Sequence, residues 1–177
     1  LGLVGSEMCI RDSENEVYEN ALLNTYLLTP PRIYQWERLV LNPDYDGEDF
    51  MAYGYDNYGM RLCGERVGYC LSTDKRTNGA VAVFLPGVAQ KLSEILDDDF
   101  YIVFTSIHEA MIHPKSKCYP EGLERILKET IEDATPDEDF LADEIYYYDR
   151  CTRKIAKWDK VVSRVTLPVG RVELVPV

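Results

Sequence analysis

The chain has 177 residues, of which 46% are hydrophobic and 11% aromatic, and 31 acidic against 19 basic side chains give a net charge of -12. This composition predicts one ordinary globular core and excludes a disordered tail. No apolar run reaches the roughly 18 residues of a membrane helix, and no basic region precedes an apolar run as in a secretory signal, so we expect a cytoplasmic protein without a membrane partner. The acidic balance argues against direct nucleic-acid binding, which depends on Lys and Arg displacing phosphate counterions.

The opening string LGLVGSEMCIRDS lacks the periodicity of a folded segment and the charge pattern of a targeting peptide. From Leu3 to Ser13 it resembles the conceptual translation of a transposase-based sequencing adapter. We therefore interpret residues 1–13 as an artefact, which implies a truncated start and leaves 164 of 177 residues. Ser13 and Glu16 also have the spacing of a helix capping box, which this interpretation treats as a coincidence.

Residues 14–65 are predicted as N-terminal helices and an irregular loop. Apolar residues recur on one helical face over 14–28, and Pro30 and Pro31 end that pattern. Residues 33–40 are predicted as a second short helix that carries Trp36. The segment that follows is rich in Asp, Gly, Asn and Tyr, which is typical of a loop. Counted from Asp44, it lacks the glycine and the glutamate of an EF-hand, so we reject a calcium site there.

Residues 66–150 are predicted as an α+β domain. VGYCLST (67–73) and AVAVFL (80–85) have the composition of strands, and Asn78-Gly79 between them suits a turn, so we predict a hairpin. Pro86 is expected in the first turn of a helix with an apolar face, and the acids at 97–99 in a solvated loop.

Two further strands are predicted at FYIVFTSI (100–107) and HEAMIHP (108–114), because the first is an unbroken apolar run and the second ends at a proline. Residues 69–113 then form a strand-strand-helix-strand-strand unit. Residues 121–133 have the apolar spacing of an amphipathic helix. The fold class that follows is α+β, with an antiparallel sheet and amphipathic helices on one of its faces.

Acidic and basic residues are segregated towards the end of the chain. Residues 132–144 hold seven acids and no base, and the strands IYYYD and CTRKIAKW are predicted to follow. From Arg150 onward seven bases and two acids give +5, so residues 14–149 carry -16. The basic, valine-rich tail 151–177 is interpreted either as ending in a hairpin around Val169-Gly170 or as a frame-shifted back end.

Several short motifs point to one family. They are Leu71–Thr73, Asn78–Ala80, Pro86-Gly87, Ser106-Ile107-His108-Glu109, and the spaced Leu141, Asp143, Tyr146 and Asp149. In this order the segment 69–149 resembles the domain-of-unknown-function family five-six-eight-eight (DUF5688), a group of uncharacterised bacterial proteins. The resemblance implies a bacterial origin and a fold neighbourhood, and it implies no activity.

The candidate site residues are His108, Glu109 and Ser106. A zinc protease needs two histidines four apart on a helix, whereas His108 and His113 are five apart, so we expect the rings to diverge on a helix or a strand. Ser106 and His108 would share one face of a strand, as a nucleophile and a base can. The cysteines form no CxxC pair, so we expect reduced thiols, no metal and no cofactor.

Three functions are compatible with these patterns. The leading hypothesis is a non-enzymatic cytosolic binding or accessory protein of bacterial or mobile-element origin, with an unknown protein partner. The alternative is a hydrolase-like enzyme that uses His108 and Glu109 with Ser106 or a metal. The third is an acidic inhibitor of a DNA-binding protein, in which the carboxylates of 132–144 form one ordered surface.

Overall fold

The computed structural model describes residues 13–55 and 68–159 of the chain. The rest of the adapter-like segment, residues 1–12, and the tail from 160 onward lie outside the described residues. The elements in chain order are α1 (Glu14–Leu28), β1 (Pro31–Tyr34), α2 (Trp36–Leu41), β2 (Tyr69–Thr73), a 3-10 helix (Gly79–Phe84), α3 (Val88–Leu96), β3 (Phe100–Phe104), β4 (Ala110–Pro114), α4 (Pro120–Ala134), β5 (Ile145–Asp149) and β6 (Lys154–Lys157). Two short 3-10 helices lie at Lys115–Lys117 and Asp137–Asp139.

The strands form one antiparallel sheet with the order β1-β2-β4-β3-β5-β6. Its centre is β3, where Ile102 pairs with Ile112 of β4 on one side and with Tyr146 of β5 on the other. The predicted α+β class with an antiparallel sheet is therefore confirmed. The sheet also extends beyond the predicted 66–150 domain at both ends, since β1 pairs with β2 and β6 pairs with β5.

Helices cover both faces of the sheet, so the prediction that they lie on one face is wrong. Side chains alternate along β3, and all five of its residues are buried. Phe100 and Ile102 pack in the cluster that contains Val88 and Leu92 of α3. Tyr101 and Val103 point the other way and pack in the second cluster, which contains Leu123 and Leu127 of α4. The unbroken apolar run of β3 is explained by this cover on both sides.

The predicted hairpin is also wrong, because residues 79–84 form a 3-10 helix instead of a strand. Asn78 does adopt the left-handed conformation expected of the turn, with φ of 53°. However, both edges of β2 are already occupied, by β1 and by β4, so no edge remains for another partner. The segment instead packs over the sheet, and the amide of Ala80 donates to the carbonyl oxygen of Ile107 (3.1 Å). The 69–113 unit is thus strand, 3-10 helix, helix, strand, strand.

The N-terminal region contains a strand, β1, that was not predicted. Helix α1 has the predicted bounds, and Ser13 and Glu16 form a complete capping box at its start. Residues 31–34, part of which was predicted as helix, form β1, and the short helix begins only at Trp36. Ile33 of β1 and Phe50 from the following loop are fully buried in the core. Burial of both residues joins this region to the sheet.

Candidate functional site

A cleft of about 640 Å³ lies between α4 and the face of the sheet formed by β3 and β4. We call it the α4 cleft. Its walls are largely apolar and include Val103, Met111, Leu123, Ile126 and Leu127. One end is polar, and all three predicted candidates, Ser106, His108 and Glu109, line it together with Thr105, Thr135 and Asp139. Its volume, and its combination of apolar walls with a group of polar side chains, are those of a small-molecule site.

Helix α4 forms the outer wall of the cleft. Pro120 occupies its first turn, where the missing N–H removes no helical hydrogen bond. Leu123 and Leu127 are buried against Tyr101, Val103 and Ile145 of the sheet, while Ile126 is half exposed at the rim. After the helix ends, the hydroxyl of Thr135 donates to the carbonyl oxygen of Thr105 (2.8 Å), which ties the end of α4 to the polar end of the cleft.

The loop of residues 105–109 between β3 and β4 is organised around the Glu109 carboxylate. The hydroxyls of Thr105 and Ser106 both donate to Oε1 of Glu109, at 2.9 and 3.1 Å. The Ser106 hydroxyl oxygen in turn accepts the amide N–H of His108 (3.0 Å). The described residues donate no hydrogen bond to the second oxygen, Oε2, and none of them forms an ion pair with Glu109.

His108 connects three segments of the chain. Its Nδ1 accepts the amide N–H of Asn78 (3.0 Å), and its Nε2 lies 3.2 Å from Oδ1 of Asp139. This pattern assigns the ring proton to Nε2, which donates to the carboxylate. The backbone oxygen of His108 accepts the Ser72 hydroxyl (2.7 Å), and the amide of Ile107 donates to the carbonyl oxygen of Asp139 (2.8 Å). His108 thus holds the turn before the 3-10 helix and the 137–139 segment against the cleft.

The structure brings the three candidate residues together, but in an arrangement unlike that of a hydrolase. The Ser106 hydroxyl donates to Glu109 instead of the His108 imidazole, and both nitrogens of that ring have partners elsewhere. A serine nucleophile with a histidine base needs a hydrogen bond to that imidazole, which Ser106 does not make. Among residues 13–55 and 68–159, no three His, Cys, Asp or Glu side chains are grouped so that they could hold a metal.

His113 also lines the α4 cleft, so the expectation that the two histidine rings diverge onto opposite faces is wrong. The expectation assumed that both residues belong to one strand, whereas β4 begins only at Ala110 and His108 precedes it. Burial lowers the pKa of His113 to about 4, which keeps the ring neutral at neutral pH. A Cβ at Gly68 would lie 2.6 Å from Nδ1 of His113, so glycine is needed for the ring to fit.

The acidic segment 132–144 divides its seven carboxylates between the protein and the solvent. Asp139 contacts His108, and Glu144 pairs with Lys157 of β6. The others are exposed, namely Glu132, Asp133, Asp137, Glu138 and Asp143. The involvement of Asp139 in the cleft was missed because only the folded chain brings position 139 next to position 108. Asn78 was predicted as a turn residue, and its contact with His108 was likewise not visible in the sequence.

Comparison with known proteins gives one match. The model of a family of unknown function, DUF5688, matches residues 9–150. The chain belongs to this family. The resemblance drawn from the motifs in 69–149 is thereby confirmed, and it extends upstream through α1 and β1. No curated protein and no solved structure matches the chain significantly. In the part of this DUF5688 protein that the structure describes, no helix combines the length and apolarity needed to cross a membrane.

Proposed function

We propose that this DUF5688 protein is a non-enzymatic binding protein whose α4 cleft holds a small ligand with an apolar body. The observation that carries the proposal is the cleft itself, with about 640 Å³ of space and walls dominated by apolar side chains such as Val103, Met111 and Leu123. An apolar ligand that enters it removes apolar surface from water, which is the main source of affinity in such sites.

The polar end of the cleft supports binding over catalysis. Ser106 and His108 use their side chains to fix the 105–109 loop and to hold Asn78 and Asp139. Groups with these bonds position the walls of a site, and the hydrogen bond between a serine and a histidine base that a Ser-His pair needs is not made here. The hydrolase-like alternative with His108, Glu109 and Ser106 therefore receives no support from this geometry.

The setting that we propose is the bacterial cytoplasm, where the protein acts as an accessory protein of bacterial or mobile-element origin with a protein partner. Three cysteines of the described residues, Cys70, Cys118 and Cys151, are free thiols, as is usual for reducing compartments. Burial raises the pKa of Cys70 to about 12 and that of Cys118 to about 11, so these two thiols are unreactive. The net charge of -12 favours a partner with a basic surface.

A fluorescent probe tests the proposed cleft. N-phenyl-1-naphthylamine is neutral and its emission rises in apolar surroundings, so it should bind the wild-type chain with one saturable site. Thr130→Trp should abolish this binding, because Thr130 lines the cleft and an indole there would fill it. Lys128→Trp is the matched control, since Lys128 is exposed on the same helix and lies outside the cleft lining. Probe binding that is absent, or equal in the two variants, would overturn the proposal.

A further inference from the structure

We propose that the ligand of the α4 cleft is a cationic amphiphile, an apolar chain or ring with a protonated amine that the carboxylates of Glu109 and Asp139 bind. This inference rests on the proposed function of the cleft and adds the chemical class of the ligand. It follows from the charges that line the cleft and from the acceptor positions of Glu109 to which no described residue donates.

The charged side chains among the described residues that line the cleft are acidic. Glu109 and Asp139 both line its polar end, and the described residues that line it include neither Lys nor Arg. His113, the second histidine of the lining, is kept neutral by burial, which lowers its pKa to about 4. A cleft with carboxylates and low-dielectric walls concentrates cations and repels anions. A fatty acid or a phosphate ester would thus bring its charge against like charges.

The Glu109 carboxylate has capacity for a ligand. A carboxylate offers about four acceptor positions on two oxygens. The hydroxyls of Thr105 and Ser106 both use Oε1, and no described residue donates to Oε2. Glu109 is half-buried and forms no ion pair with any described residue. A half-buried carboxylate that no described cation faces can accept one, and a bound ammonium group would supply a counter-charge and donors that the described residues do not.

The Asp139 carboxylate occupies a comparable position. Its Oδ1 lies 3.2 Å from Nε2 of His108, and no described residue donates a side-chain or backbone hydrogen bond to its Oδ2. The Ile107 amide bond to the Asp139 carbonyl fixes the backbone of this residue at the polar end. Two carboxylates held by the protein are therefore presented to the same end of an apolar cleft, which is the complement of an amine joined to an apolar body.

The test uses three compounds that share one apolar chain. Decylamine, decanol and decanoate, each below its critical micelle concentration, are titrated into the full chain by calorimetry at neutral pH. We expect decylamine to bind about tenfold more tightly than decanol, a difference of about 1.4 kcal/mol, because hydrogen bonds between ionised groups are about twice as strong as neutral ones. Decanoate should bind most weakly, and added salt should reduce the preference for the amine.

Variants assign part of the preference to Glu109. Glu109→Gln keeps an acceptor for the two hydroxyls and removes one of the two negative charges, so the preference for decylamine over decanol should shrink severalfold, with the remainder carried by Asp139. Glu138→Gln is the control, because Glu138 is an exposed acid beside Asp139 that lies outside the cleft lining. A normal unfolding transition of each variant confirms that it folds.

The outcomes separate this inference from the proposed function. Equal affinity for the amine and the alcohol, or a preference for decanoate, would overturn the cationic ligand and leave an apolar binding cleft. Failure of all three compounds and of the neutral probe would overturn the binding function itself. A dimer of the wild-type chain in sedimentation that Thr130→Trp dissociates would show a second copy in the cleft, which would also overturn the small-molecule ligand.

Discussion

Replacement of Leu127 by alanine should lower the free energy of unfolding by about 2–3 kcal/mol. Leu127 is only 1% exposed and packs with Tyr101, Val103 and Ile145 where α4 meets the sheet. The substitution removes three carbon atoms, each with a burial free energy of about 0.8 kcal/mol. The cost should lie in the lower part of the usual range of about 2–5 kcal/mol, because the new space opens into the α4 cleft and water can enter it.

The measurement is urea unfolding followed by far-ultraviolet circular dichroism, with the midpoint and the slope fitted for each variant. Ile126→Ala is the matched control, since the neighbouring Ile126 is 54% exposed and its truncation should cost less than about 1 kcal/mol. If Leu127→Ala also costs less than 1 kcal/mol, then α4 does not pack on the sheet and the cleft has no outer wall. That result would refute the reasoning behind the binding site.

Three other predictions concern the floor and the far end of the same sheet face. Gly68→Ala should destabilise the fold by displacing the His113 ring, and His113→Ala should relieve most of that loss in a double-mutant cycle. The pKa of His113 is about 4 in the folded protein and ordinarily 6.5, so below pH 6.5 the unfolded chain binds a proton that the folded chain does not. As the pH drops from 7 to 4, the free energy of unfolding should therefore fall by about 3 kcal/mol more in the wild type than in His113→Leu. Equal losses in the two proteins would contradict this. Asp99→Asn should lower the free energy of unfolding by about 1–3 kcal/mol, because the Asp99 carboxylate accepts hydrogen bonds from Tyr147 and Lys115. An unchanged midpoint in chemical unfolding would show that these hydrogen bonds do not stabilise the fold.

The helices and central strands could be predicted because their patterns extend over enough residues. Residues 121–133 repeat apolar positions at helical spacing, and the run at 100–104 is too apolar for anything but a buried strand. Residues 14–28 have no clear apolar face, and that helix is instead bounded by the Ser13–Glu16 capping box and by the two prolines at 30 and 31. The 3-10 helix Gly79–Phe84 could not be predicted, since a six-residue apolar run has the same appearance as a strand and only the occupied edges of β2 exclude one. The four-residue β1 is too short to carry a period.

The candidate site, too, could be predicted only in part, because its local residues are visible in the sequence and their tertiary contacts are not. The cluster of Ser106, His108 and Glu109 was visible as a group of reactive side chains close together in the sequence. What these side chains do depends on Asn78 and Asp139, each about thirty residues away from His108, and on the wall supplied by α4. Those contacts arise only from tertiary packing. The unbroken apolar run of β3 did indicate that both faces of this strand are buried, and one of the two covering layers is helix α4, which forms the wall of the cleft.

The most direct test of the ligand site is a methyl and amide NMR titration of the full chain with decylamine. We expect shifts concentrated on Val103, Met111, Leu123 and Leu127, together with the amides of the 105–109 loop. A second groove, of about 590 Å³ and lined by residues such as Val83 and Ile155, serves as the internal comparison. Shifts confined to that groove, or no saturable shifts in the α4 cleft, would contradict the account.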